Sequence, residues 1–151
     1  MTAVLFVCLG NICRSPSAES VLRALANDAG LDLRVDSAGT AGWHIGKPPY
    51  QPALQAAKAR GYDMSGLRAR QITQGDFLRF DLIVGMDAEN IADIEALRPD
   101  GNETPVRPFM EFANLDVTAV PDPYYTRDFE GALDLIEAAS AGLIEAITRP
   151  D

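Results

Sequence analysis

The chain has 151 residues, 47% of them hydrophobic and 23% charged, which suits one globular domain expected to span residues 1–151 with enough chain to bury a substantial core. A formal net charge of −9 argues against nucleic acid and anionic membrane as general partners, so any anion must be captured locally. The only two cysteines, Cys8 and Cys13, share one short loop, which is no disulfide framework for a secreted domain and points to a reducing cytoplasm.

Met1-Thr2-Ala3 carries no basic region and the apolar run after it is only strand length, so neither a signal peptide nor a membrane span is expected. Val4-Leu5-Phe6-Val7 reads as a strand buried on both faces of a parallel sheet. Ser15 to Ala29 places Ala18, Val21, Leu22, Leu25 and Ala29 at helical spacing and stops at Gly30. Leu33 to Ala38 reads as a second strand, leading into a Gly/Pro-rich stretch from Gly39 to Pro52. Gln51 to Arg60 is a helix closed by Gly61, and Phe80 to Met86 a third buried strand, followed by a helix with Asp87 as its cap. Arg98 to Asn102 is a surface turn, a weak fourth strand lies around Val106, and the last helix runs from about Asp128 to Ile147. This alternation predicts an α/β fold: an open, mostly parallel sheet of about four strands, with helices on both faces and ligands bound beyond the strand C-termini, where Cys8 falls.

Cys8-Leu9-Gly10-Asn11-Ile12-Cys13-Arg14-Ser15 follows the first strand and precedes the first helix. A loop at that junction points backbone N–H groups at one spot where the helix dipole also favours negative charge, so it makes a cradle for a phosphoryl group. Gly10 and Asn11 tolerate positive φ and let the loop curl. Arg14 offers a planar fork for two phosphate oxygens, and the same electropositive setting favours the thiolate of Cys8 as a nucleophile. Ser15 either caps the helix or hydrogen-bonds that thiolate.

Cleavage of a phosphate ester by sulfur needs an acid for the departing oxygen. The single histidine, His44, reads as a partly exposed loop residue, and Asp87 as a helix cap close to the site. Asp122 stands between Pro121 and Pro123, which stiffen its loop without regular secondary structure; it is either an ordinary Asp-Pro turn or the acid. Tyr124 and Tyr125 beside it could form a wall for an aromatic substrate.

Taken together, Val7 to Pro16, Asp36-Ser37-Ala38-Gly39-Thr40 with Trp43, Ala69-Arg70-Gln71 and Asp122-Pro123-Tyr124-Tyr125 resemble the low-molecular-weight protein tyrosine phosphatases across nearly the whole chain. The resemblance implies Cys8 as nucleophile, Arg14 as binder of the phosphoryl oxygens, and Asp122 as general acid and then base, with no metal and no cofactor. It implies that Leu9, Gly10, Asn11, Ile12, Cys13, Ser15, Trp43, Tyr124 and Tyr125 meet the substrate. It further implies that Asn11, Ser15 and Ser37 support the loop, and that Cys13 pairs reversibly with Cys8 on oxidation. One departure is Leu67, where some members place a histidine in the supporting network. The implied partners are tyrosine-phosphorylated proteins, for a monomer in the cytoplasm.

Three rival readings use the same residues differently. An arsenate reductase of this fold would need a further relay cysteine outside the loop, which the chain lacks. A non-catalytic phosphate-binding module would have no use for the full set of Cys8, Arg14 and Asp122. A Cys-His hydrolase would rest wholly on His44 and leave Arg14 without a purpose.

Overall fold

The computed structural model describes residues 2–149. Four parallel strands, β1 (Thr2–Cys8), β2 (Leu33–Gly39), β3 (Leu82–Gly85) and β4 (Val106–Pro108), lie in the order β2-β1-β3-β4. Around them run α1 (Arg14–Asp28), α2 (Gln51–Ala59), α3 (Asp76–Arg79), α4 (Ala88–Glu95), α5 (Pro123–Thr126) and α6 (Phe129–Thr148), with a 3-10 turn at Phe109–Phe112. The α/β sheet read from the sequence is therefore the one formed, including its weak fourth strand.

The unbroken apolar run of β1 has a simple cause, because alternate residues serve opposite faces of the sheet. Val4 and Phe6 pack with Val21 and Leu22 of α1 and Leu133, Ile136 and Leu143 of α6. Ala3, Leu5 and Val7 pack with Phe77, Phe80 and Ile94 on the other side. A smaller cluster of Cys13, Ala53, Ala57 and Met64 lies beneath α2. Among the described residues no helix is long and apolar enough to cross a membrane.

Three details depart from the sequence reading. The third strand is shorter than Phe80 to Met86, since Phe80 closes α3 by donating its N–H to the Asp76 carbonyl and Gly85 is the last paired residue. The single-turn helices α3 and α5 were not expected. Asp122 consequently does not sit in irregular loop: its Oδ1 accepts the Tyr124 N–H at 3.0 Å and caps α5, with Pro123 in the first turn where a missing N–H does no harm.

Register brings the site together. Cys8 pairs with Gly39 and Val7 with Gly85, so β1, β2 and β3 end level on one edge. The Val120 N–H donates to the Met86 carbonyl at 2.9 Å and returns the chain before Asp122 to that same edge.

Candidate active site

Between β1 and α1 the chain reverses through Asn11, whose φ of 58° is left-handed, as its residue type allows. Gly10 does not share that conformation, contrary to expectation. A Cβ there would lie 2.9 Å from His44 Cδ2, so a larger residue would displace that partly exposed ring. Gly39 of β2 is constrained more firmly, by backbone, with Leu9 O only 2.8 Å from the position of a Cβ. Helix α1 then begins at Arg14 with Cys13 as its N-cap and no side-chain hydrogen bond there. Its first N–H groups are left for an anion. Ser15 is therefore not the cap; it lies inside the first turn with its hydroxyl turned toward Cys8.

Cys8 is buried, 3% exposed, and its Sγ accepts the Asn11 backbone N–H at 3.3 Å. Ser15 Oγ stands 3.0 Å from the same sulfur. The direction of that bond follows from the neighbours. The Arg70 N–H donates to Asn11 Oδ1 at 3.0 Å, which fixes the orientation of the amide. Asn11 Nδ2 then donates to Ser15 Oγ at 2.8 Å and to Ser37 Oγ at 3.0 Å. Ser37 Oγ in turn donates a hydrogen bond to Glu19 Oε1 at 2.6 Å. The Ser15 proton is thus free to point at sulfur, its other acceptor being the more distant Ala38 carbonyl at 3.4 Å. The network holds the sulfur between two donors, an arrangement suited to a thiolate.

Arg14 is equally buried. Its Nη1 donates to Asp87 Oδ2 at 2.6 Å and to the Val120 carbonyl at 3.0 Å, while Nη2 lies 3.5 Å from Asp122 Oδ2. Its Nε has no partner among the described residues, although it is buried. A buried guanidinium N–H without an acceptor is costly unless a ligand supplies one, so the anchored Nη1 leaves Nε and Nη2 as the fork for an oxyanion. Burial opposes the charge of Arg14, but Cys8, Asp87 and Asp122 outweigh it and hold the group above its ordinary value. Cys13 behaves oppositely: burial first, then the charges of Cys8 and Asp122, push its thiol up to about 12.

These groups open into a cavity of about 260 Å³. Cys8, Leu9, Gly10, Ile12, Cys13 and Arg14 of the loop line it together with Trp43, His44, Asp122, Tyr124 and Tyr125. Trp43 is 68% and Tyr125 70% exposed, leaving aromatic surface uncovered at the mouth. Every residue read from the sequence as contacting a substrate lines this cavity except Asn11 and Ser15. With Ser37, those two stand behind the loop and act on it through the network.

Several participants escaped the sequence reading. Asp87 is the cap it was read as, accepting the Asn90 N–H at 2.8 Å, and its second oxygen also anchors Arg14. Arg70 supports Asn11 while its side chain is held by Asp36 and by a bidentate pair with the buried Asp76. Glu19 carried a signal that could have been used: a carboxylate between Ala18 and Val21 on the buried stripe of α1 requires a buried partner. Burial raises its pKa, with Ser37 and Arg23 working against that shift. His44 is the partly exposed loop residue it was read as, and it also lines the cavity.

A buried thiol in an anion cradle, a guanidinium with two open donors and a carboxyl at the rim define a thiol-based site for a phosphate ester. Comparison with known proteins supplies the family. The profile of the low molecular weight phosphotyrosine protein phosphatases matches residues 3–150. The chain is 41% identical over 152 residues to the low molecular weight protein-tyrosine-phosphatase YfkJ of Bacillus subtilis, covering 99% of this chain and 97% of YfkJ. It is 36% identical over 150 residues to PtpA of Staphylococcus aureus, covering 99% and 96%. The crystal structure of YfkJ superimposes with a TM-score of 0.93 over 97% of this chain and 94% of that one. That of DARP, a Drosophila arginine phosphatase, gives 0.94 at 30% identity over the full length of both. The chain belongs to the low-molecular-weight protein tyrosine phosphatase family and is a hydrolase.

Proposed function

We propose that this single domain hydrolyses phosphotyrosine in proteins through a cysteinyl-phosphate, with Cys8 as nucleophile, Arg14 as phosphate binder and Asp122 as general acid and base. The observation that carries the assignment is the state of Arg14: one arm anchored, the buried Nε unpartnered, and Asp122 3.5 Å from Nη2. In the first step the Cys8 thiolate attacks phosphorus. The S–P bond forms as the bond to the tyrosyl oxygen breaks, and Asp122 gives that oxygen its proton. In the second step the Asp122 carboxylate takes a proton from the attacking water. The S–P bond breaks, and inorganic phosphate and the thiolate are released. The Ser15 hydroxyl, 3.0 Å from Sγ, stabilises the thiolate as it departs. Ile12, Trp43, Tyr124 and Tyr125 supply apolar walls for the substrate ring.

The reading extends to setting and control. A protein of net charge −9 with two free cysteines fits a cytoplasmic monomer acting on phosphoproteins rather than on nucleic acid. Peroxide would convert the Cys8 thiolate to a sulfenic acid, with the O–O bond breaking. Cys13 sulfur would then displace water to form a reversible disulfide.

The test is a panel of phosphotyrosine, phosphoserine, phosphothreonine and phosphoarginine peptides assayed with the wild type and Cys8→Ser. Turnover confined to phosphotyrosine and abolished in the variant, whose hydroxyl is a far weaker nucleophile, is expected. Substantial hydrolysis by Cys8→Ser, with phosphate trapped on another residue, refutes the assignment.

A further inference from the structure

Arg127 occupies a place where an arginine needs an explanation. It follows α5 with φ 65° and ψ 9°, a left-handed conformation strained for any residue with a Cβ and free of strain for glycine. Such strain persists only where the surroundings fix the side chain. Here they do: Arg127 Nη1 donates to Tyr50 Oη at 2.8 Å and more weakly to the Tyr124 carbonyl at 3.4 Å. Its guanidinium carbon also lies 5.3 Å from the ring centroids of both Tyr50 and Phe129.

Tyr50 is in turn fastened to the phosphate loop, because its backbone N–H donates to the Ile12 carbonyl at 2.8 Å. Its ring also packs against Tyr124, with centroids 5.1 Å apart. A continuous path therefore runs from the loop holding Cys8, through Ile12 and Tyr50, to Arg127 and back along α5 to Asp122. The Arg127 N–H closes α5 on the Pro123 carbonyl at 2.9 Å, and the Thr126 N–H donates to the Asp122 carbonyl at 3.1 Å. Among the described residues the Tyr50 hydroxyl accepts from this one arginine, which adds a directed bond to the ring packing of Tyr50 on Tyr124.

We propose that Arg127 is a positioning residue that clamps the segment carrying Asp122 onto the phosphate loop through Tyr50, setting the distance at which Asp122 meets the leaving oxygen. The inference rests on the assignment of Asp122 as the acid, and it concerns how that acid is held rather than what it does. Removing the clamp should leave the nucleophile and Arg14 untouched while spoiling proton transfer to poor leaving groups.

The experiment uses Arg127→Gly, which removes the side chain and the backbone strain together, with Tyr50→Phe as a second route to the same loss and Arg127→Lys as partial rescue. Hydrogen exchange at the amides of Tyr125, Thr126 and Arg127 should quicken about tenfold in Arg127→Gly and Tyr50→Phe, the loss of one charge-assisted hydrogen bond. The ratio of kcat/KM for para-nitrophenyl phosphate to kcat/KM for phenyl phosphate, which reads the step in which the phenol departs, should rise about fivefold in both, since the acid helps most where the phenol departs poorly. A purely structural role would slow both substrates alike. Unchanged exchange in both variants overturns the clamp. Faster exchange with an unchanged ratio overturns its role in positioning, provided Asp122→Asn does raise the ratio. If Asp122→Asn leaves the ratio flat as well, it is the acid assignment that fails, and exchange alone then decides the clamp.

Discussion

Replacement of Asp87 tests how Arg14 is held. Asp87→Asn keeps the size of the side chain and an oxygen for the Asn90 N–H, now 2.8 Å from Oδ1. With that oxygen retained as the cap, the amide NH2 falls where Oδ2 now accepts Arg14 Nη1 at 2.6 Å, so donor faces donor. Removing one member of a buried ion pair typically costs about 3–5 kcal/mol. The lower side of that range is exceeded downward here, because the Asp87 side chain is 28% exposed and Asp122 remains on the same guanidinium. We expect about 2 kcal/mol for Asp87→Asn, in line with one hydrogen bond to a charged group. Asp87→Ala adds the loss of the cap, about 1 kcal/mol more.

In a chain of 151 residues those losses correspond to Tm shifts of about 4–8 °C and 6–12 °C. The guanidinium, left with the Val120 carbonyl as its one firm anchor, should swing away from the cavity. Loss of kcat/KM on para-nitrophenyl phosphate should reach about 10–100-fold, with a parallel weakening of inhibition by inorganic phosphate. Urea titrations at constant slope and steady-state kinetics on both variants measure these quantities. Wild-type kcat/KM in Asp87→Asn would refute the account of Arg14, and equal stability of the Asn and Ala variants would refute the capping share.

Asp122→Asn should slow phenyl phosphate by about 100-fold and para-nitrophenyl phosphate by about tenfold or less; equal losses on both substrates would make Asp122 structural. Gly39→Ala forces a Cβ against Leu9 O at 2.8 Å and Gly10 C at 3.1 Å, backbone atoms of the phosphate loop. It should cost about 1–3 kcal/mol in urea titration and raise KM, whereas wild-type KM would show that the loop yields freely. Cys13, at about 12, is a thiol at neutral pH, and its thiolate fraction rises with pH. Recovery of activity by reductant after peroxide should therefore increase from pH 6 to pH 8 and vanish in Cys13→Ser, and mass spectrometry finding only sulfinic or sulfonic Cys8 would end the disulfide scheme.

Sequence carried the loop well because its signal is local: an apolar run, residues that permit a reversal, then helical spacing, all within Val4 to Leu25. Asp122 was harder. An aspartate followed by proline is both a turn signal and a helix start, and one turn of helix is too short to show a period. The support of the loop was largely invisible. Asn11 meets Ser37 across 26 residues of chain and Arg70 across 59, and Arg14 meets Asp87 across 73. Gly10 shows how a residue can be singled out for a property the fold does not use: its φ is not positive, and its small size instead leaves room for the imidazole of His44, 34 residues away in the chain.

Leu67, the one departure from the family pattern, is intelligible from the same bonds. A histidine there would serve the supporting network, yet each polar group of that network is satisfied without it. Asn11 Oδ1 takes the Arg70 N–H, Asn11 Nδ2 serves both serines, and Ser37 donates directly to Glu19 at 2.6 Å. Glu19 is held in turn by Arg23, four residues on along α1, at 2.5 Å. Position 67 is thereby released from hydrogen bonding, and its leucine packs on the cluster of Cys13, Ala53, Ala57 and Met64. Burial is the first cause of the raised pKa of Cys13, a member of that cluster. Leu67 thus belongs to the apolar cluster that contains Cys13 rather than to the polar support of Cys8.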